Sequence, residues 1–288
     1  MTMTRHRWLP FSSPSFQDAI CISEKHQVDY VFKIADSTDE LLNAYNLLYH
    51  EYLHAGYIKE NKNKILFTKH HLLPKTTVFV AKSGKTILST ATLVRDSKQF
   101  GLPMDELYGT ELKRLRSEQR KILEVGSLAS NRYQFTRSGI QNFTKLLFLY
   151  CVFLDADDVC VMVNPKHVPL YKRLCDLEIF GEEKYYPKVN APAVALRADV
   201  SRVREKLHRK GLMASYREKL DSHYLSLKIG LCAKITDIFK NNNAPRPPLN
   251  PLDTCVINHI LSGKSDALQD LSMECITLLK NSYPGIRI

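Results

Sequence analysis

Between residues 28 and 200 the apolar positions switch repeatedly between two spacings, and this switching constrains the fold more than any other feature of the chain. Recurrence at every second residue buries one face of a strand; recurrence at about 3.6 residues buries one stripe of a helix. VDYVFKIA (28–35) alternates. STDELLNAYNLLYHEYLHAGY follows, with Ser37 or Thr38 as cap, acidic residues in its first turn, and a stripe of Leu41, Leu42, Tyr45, Leu48, Tyr49 and Tyr52. TTVFVAK (76–82), a Ser83-Gly84 turn and KTILSTATLVRD (85–96) predict a hairpin. A helical connection (101–119), a strand (122–129), a helix (138–154), a buried-type strand (158–165), a short helix (167–176) and two closing strands, EEKYYPKV and APAVALRADV, complete the series. The order β-α-β-β-α-β-α-β-α-β-β predicts an α/β (α+β) fold, one mixed twisted sheet flanked by helices. Residues 1–27 lack periodicity and read as an N-terminal arm, and 28–200 as the main domain. Residues 201–288 read as a helical C-terminal extension, broken by NNNAPRPPLNPLD and expected to dock on the main body.

The strand ILEVGSLASN (122–131) carries a carboxylate in its middle. Ile122, Glu124, Gly126 and Leu128 share one face, so Glu124 sits among apolar residues beside a position with no side chain. Two readings fit. An apolar environment raises a carboxyl pKa and suits a general base, with Gly126 leaving space for a substrate. Equally, Glu124 pairs with an arginine inside the sheet.

The chain has 288 residues and a net charge of +11, with 44% hydrophobic and 25% charged residues. A basic surface attracts polyanions: nucleic acid, an anionic membrane surface or an acidic protein. Residues 201–240 alone hold ten Lys/Arg against four Asp/Glu. No zinc spacing, RNP-like strand or clear helix-turn-helix accompanies the charge, so nucleic acid is not the expected partner, while peripheral membrane contact fits the basic surface. No apolar run approaches the roughly 20 residues that cross a bilayer, and the start lacks a secretory h-region. The seven cysteines form no C-x-x-C and read as reduced thiols, which predicts a cytoplasmic protein. G-x-S-x-G, a P-loop and H-E-x-x-H do not occur, and His70-His71 has no partners at metal-ligand spacing, so no metal site is expected.

The strand order resembles the GNAT acyltransferase fold, with the strands around Glu124 and Val161 in the place of the central pair that splays apart. Asn164 and Tyr171 in VNPKHVPLYKRL resemble the Asn-x6-Tyr arrangement of that fold; the Gly-Phe that usually follows is replaced by Leu177-Glu178-Ile179-Phe180. FGLPMDELYG, ILEVGSLA, NPKHVPLYKRL and YYPKVNAPAVALRAD, in this order, resemble the N-acyl amino acid synthases of the FeeM type, relatives of the acyl-homoserine-lactone (autoinducer) synthases. The resemblance covers roughly 28–200. It implies transfer of a long-chain acyl group from an acidic acyl-carrier-protein to the α-amine of an amino acid, tyrosine in the founding type. No cofactor is held tightly on this reading; the acyl-phosphopantetheine of the carrier is the donor substrate. Related enzymes with another acceptor, autoinducer-synthase-like or exosortase-associated, and a non-catalytic basic module are the alternatives.

The resemblance also implies roles. Glu124 would deprotonate the amine, and Tyr171 would give a proton to the departing thiolate, although a tyrosine packing a helix on a sheet looks the same in sequence. The pyrophosphate loop of GNAT enzymes is degenerate here: NRYQFTRSGIQNF offers Arg137, Ser138 and Gly139, enough for a single phosphate at a helix N-terminus. Arg132, Arg137, Lys172 and Arg173 are the expected cations at the mouth for the carrier. Asn164 and His167 are expected on the donor side, though an Asn-Pro turn and a helix start also explain them. Phe143, Leu146, Leu147 and Met162 are candidates for an acyl tunnel, and Arg95 for the acceptor carboxylate.

Overall fold

The computed structural model describes residues 20–23, 29–73, 75–153, 156–209, 253–262, 268 and 271–288. Among these, β1 (Ile20–Ser23), β2 (Asp29–Ile34), β3 (Thr77–Ser83), β4 (Thr86–Arg95), β5 (Ile122–Ser130), β6 (Asp158–Val163), β7 (Glu178–Tyr186) and β8 (Ala191–Asp199) form one sheet in the order β1-β2-β3-β4-β5-β6-β8-β7. Only β5 and β6 pair in parallel; the sheet is mixed and the predicted fold class holds. Residues 20–23, assigned to the arm from sequence, instead pair with Tyr30 and its neighbours as an edge strand. The rest of that arm lies outside the described residues.

The helices are α1 (Thr38–His54), α2 (Asp105–Ser117), α3 (Arg137–Phe153), α4 (Val168–Cys175), α5 (Val200–Arg209), α6 (Thr254–Ser262) and α7 (Met273–Ser282). Ser37 caps α1, its side chain accepting from the Glu40 amide. Glu40 then anchors the first turn to the sheet through Lys33 and Lys82, 3.1 and 2.7 Å away. Between β3 and β4 the chain reverses at Gly84, whose φ of +57° suits glycine.

Each face of the sheet carries helices. On one, α3, α4 and α5 pack against Leu123, Val125, Val159 and Val161. On the other, α2 packs against Val94, Ile122 and Cys160, while α1 covers Val78 and Val80. A kink at Tyr108 (φ −121°) turns α2 toward β7 and β8, where the Tyr108 hydroxyl meets the carbonyls of Glu182 and Ala193. A Cβ at Gly181 would run into the Tyr108 ring, which accounts for that glycine.

The C-terminal helices dock on the main body as expected. Ile257, Ile260 and Leu261 of α6, with Leu279 of α7, share a core with Leu41, Tyr45, Phe67 and Ile87. The helical pattern expected over 201–240 continues as far as Arg209 in α5, and its remainder lies outside the described residues. Of the cysteines, Cys151, Cys160, Cys175 and Cys275 are buried free thiols and Cys255 is exposed; Cys232 and the Cys21 side chain lie outside the described part.

Candidate functional site

The parallel pairing of β5 and β6 is short. It runs from Ile122↔Asp158 to Val125↔Val161 and stops. Beyond it β5 continues beside β4 to Ser130, and β6 beside β8 to Val163. The two central strands therefore separate at Gly126 and Met162. A bulge sharpens the departure: Ser127 and Leu128 lie between the pairs Thr92↔Gly126 and Thr90↔Ala129, opposite Ala91 alone. Ser127 takes φ +49°, a left-handed value that a residue with a side chain adopts only when its surroundings hold it there. The result is a cleft whose wall is strand edge, at the centre of the sheet.

Glu124 stands at the root of this cleft. It is 2% exposed, and its Oε2 accepts from the Met104 amide at 2.9 Å, at the start of α2. Burial pushes its pKa up to about 8 against the pull of that amide, and the carboxylates of Asp105, Asp96 and Glu106 push the same way. The arginine partner weighed from sequence is not there: among the described residues no cation lies within salt-bridge distance of Glu124. Arg116 instead grips Asp96 and Asp105 at 2.6–2.7 Å. A Cβ built on Gly126 would have Glu124 Oε1, at 3.9 Å, as its nearest neighbour and no other atom within 4 Å, so the space beside the carboxylate is open.

Tyr171 reaches the cleft from the opposite face of the sheet. It lines a small apolar cavity with Val125, Leu128, Leu147, Val161 and Cys175. Burial raises its phenol pKa. Tyr52, at the end of α1, lies within the electrostatic reach of both Tyr171 and Tyr186. Burial raises the pKa of Tyr186, at the end of β7, and the nearby carboxylates of Glu106 and Glu124 push the same way. Electrostatic reach thus links Glu124 to Tyr186, Tyr186 to Tyr52 and Tyr52 to Tyr171, residues of four separate elements.

The remaining candidates divide. Of the tunnel set, Leu147 lines the cavity. Phe143 is buried in the same core, stacked on Phe32 at 5.8 Å. Met162 belongs to the other face, packed with Tyr108 and Cys160 on the Glu124 side. The Leu146 side chain lies outside the described ones. Arg95 shares its strand face with Leu93, beside Tyr150 and Cys151, so the sheet separates it from Glu124. Arg137, Ser138 and Gly139 form the first turn of α3 as expected. There the Gly139 amide already donates to Thr136 Oγ1, and a Cβ would come within 2.8 Å of the Phe135 ring, so packing accounts for this glycine. Arg132 pairs with Glu51 at 2.8 Å. The Asn164 side chain accepts from the Lys166 amide and caps the turn Pro165–His167. His167 is exposed, its pKa lowered by partial burial and Lys166. Arg137, Lys166, Lys172 and Arg173 are exposed around the α3 and α4 side.

Sequence reasoning missed the Met104 amide, Tyr52, Tyr186 and a buried pair, His71 and Thr92, whose Nε2 and Oγ1 are 3.2 Å apart. The signal for the first was the stretch FGLPMDELYG, noted for its resemblance but given no role. The signal for the last was Thr92 itself, a polar residue at an inward position of a buried strand.

A family model described as N-acyl amino acid synthase FeeM matches residues 43–199. The solved structure of FeeM, an N-acyl amino acid synthase from uncultured soil microbes, is 26% identical, with a TM-score of 0.57 over 65% of this chain and 99% of that one. The acyl-homoserine-lactone synthase LasI is 15% identical over 60% of this chain and 91% of its own, with a TM-score of 0.47. An N-acetyltransferase from Staphylococcus aureus Mu50 is 12% identical over 59% and 98%, with a TM-score of 0.41. No curated protein sequence matches the chain.

Proposed function

The chain belongs to the FeeM family of N-acyl amino acid synthases, and on that premise we propose that it moves a long-chain acyl group from acyl-carrier-protein to the α-amine of an amino acid. That it is an acyltransferase follows from the family; the donor and acceptor are our reading. The observation that carries it is Glu124, a buried carboxyl with no cation at salt-bridge distance among the described residues, beside open space at the root of the cleft.

The chemistry follows from this placement. An amino acid arrives as an ammonium ion. A carboxyl with a pKa of about 8 lies far closer to an ammonium than an ordinary carboxyl does, so proton transfer to Glu124 costs little and leaves a neutral nucleophile. The nitrogen attacks the thioester carbonyl carbon, and the oxygen becomes an oxyanion. Backbone N–H groups of β5 beyond Val125, which β6 no longer takes up, offer donors for it. The C–S bond then breaks. The nitrogen's second proton neutralises the thiolate, whose sulfur takes a hydrogen bond from Tyr171, and an amide remains. The cavity beneath Tyr171 is small and wholly apolar in its lining, and on this reading it marks where the acyl chain enters, the surrounding side chains moving apart to admit it. Exposed Arg137, Lys172 and Arg173 favour an acidic carrier docking over α3 and α4.

Purified protein supplied with acyl-carrier-protein thioester and each amino acid in turn tests this directly. N-acyl amino acid is the expected product, with a rate that falls as salt rises. A lactone made from S-adenosylmethionine, use of acyl-coenzyme A alone, or no transfer would each overturn it. The pH profile adds a second check. Glu124 must be ionised to accept a proton, so kcat/KM should climb as pH rises through about 8. Glu124→Gln should lose that limb; the same profile in both proteins would assign it to the substrate amine.

A further inference from the structure

His71 belongs to a short turn, Lys69–Leu72, that lies on the Glu124 side of the sheet. Its hydrogen bonds settle its tautomer. Nδ1 lies 3.0 Å from the Thr68 amide, a group that can only donate, so Nδ1 accepts. The proton of the neutral ring is therefore on Nε2, which points at Thr92 Oγ1, 3.2 Å away. Thr92 Oγ1 accepts that proton, and its own hydroxyl hydrogen is left to donate elsewhere.

Where it can donate is set by register. Thr92 pairs directly with Gly126, and Val94 with Glu124, so Thr92 and Glu124 are diagonal neighbours on one face. Such positions lie about 7–8 Å apart, within the span of one small bound molecule. Between them is the open space over Gly126. The turn that aims His71 is itself secured from the C-terminal extension: the buried Tyr283 hydroxyl donates to the Leu72 carbonyl at 2.9 Å. The His71 ring is also stacked on Phe67 and edged by Tyr45.

We infer that Thr92 is a substrate-binding residue, its hydroxyl donating to the α-carboxylate of the acceptor amino acid while Glu124 takes the ammonium, and that His71 positions it. This rests on the acceptor reading above and deepens it. Two groups on one strand face, one for each end of the zwitterion, would select α-amino acids over simple amines.

The test compares tyrosine with tyramine, which has the same amine and ring and no carboxylate. Thr92→Val keeps the shape and removes the hydroxyl. It should raise the KM for tyrosine about tenfold, as expected for one hydrogen bond to a charged group, with kcat and the donor KM within about twofold. Tyramine kinetics should not change, and Thr92→Ser should restore tyrosine binding. His71→Phe should reproduce the same KM shift, and adding it to Thr92→Val should give no further loss, because both remove the same interaction. An equal penalty on tyrosine and tyramine, an unchanged tyrosine KM, or multiplying effects in the double variant would each overturn the inference while leaving the acyltransferase assignment standing. A wild-type protein that acylates tyramine but no amino acid would overturn the acceptor reading and this inference together.

Discussion

Replacing Glu124 by Gln should cut turnover at pH 7 by roughly 10²–10⁴-fold and, in the same protein, raise stability at alkaline pH. The two effects have one origin. Burial moves the Glu124 pKa from 4.5 up to about 8, so the folded protein favours the neutral form. Below about pH 4.5 the group is protonated folded or unfolded, and its contribution is fully present. As pH rises toward 8 the unfolded chain ionises and the folded one resists, so stability drains away across that window. A pKa displaced by one is worth about 1.4 kcal/mol, so a few kcal/mol are involved. Gln cannot ionise and should avoid this loss while its carbonyl still accepts from Met104. Thermal melts at pH 5 and pH 9, run beside single-turnover assays, check both arms. A variant that loses less than tenfold in turnover, or melts below wild type at pH 9, would make Glu124 a structural residue.

Asp158→Asn should give the largest stability loss of any single charge removal. Asp158 is fully buried at the head of β6 and takes Arg120 Nε at 2.5 Å and Arg197 Nε at 2.6 Å. Neutralising it removes the carboxylate that takes both guanidinium groups at their Nε atoms and leaves Asp199, 2.9 and 3.5 Å from them, as their one shared counter-charge among the described residues. Breaking a buried pair in this way costs about 3–5 kcal/mol, on the order of 10 °C in Tm for a domain of this size. Glu178→Gln, which opens the exposed pair with Arg202, should stay within about 0.5 kcal/mol. A melt of Asp158→Asn within about 3 °C of wild type would show that Asp199 alone balances the two arginines. The same carboxylate clamps β5, β6 and β8 at one end, so the variant should also raise KM for the donor, whose cleft opens at the other end of those strands.

Local pattern made much of this architecture legible. The alternation in β2 to β6, the Ser37 cap and the apolar stripe of α1 are written in neighbouring residues, and Glu124 stood out because a strand face exposes an odd member by simple alternation. What stayed hidden depends on register between distant segments. Alternation puts Met162 on a face with Cys160, but only the pairing Glu124↔Cys160 tells which face of the sheet that is, and it is the Glu124 face. Arg95 failed to join Glu124 for the same reason, one residue of parity away from Val94, which does. Met104 acts through its backbone, which side-chain chemistry in the sequence cannot advertise. His71 and Thr92 meet across 21 residues, and neither looks unusual alone.

The docking of the last two helices has a practical consequence for anyone shortening this protein. Residues matched by the family model end at 199, which makes the region near 200 an inviting place to cut the chain for expression. Such a chain would keep Glu124, Tyr171 and the cavity, yet it would present Leu41, Phe67, Val78 and Ile87 without the α6 and α7 residues that share their core. An uncovered apolar face of that kind drives association, and the shortened chain would precipitate with its catalytic groups still in place. Insolubility of a trimmed version would then report on a missing wall, and would say nothing about whether the enzyme works.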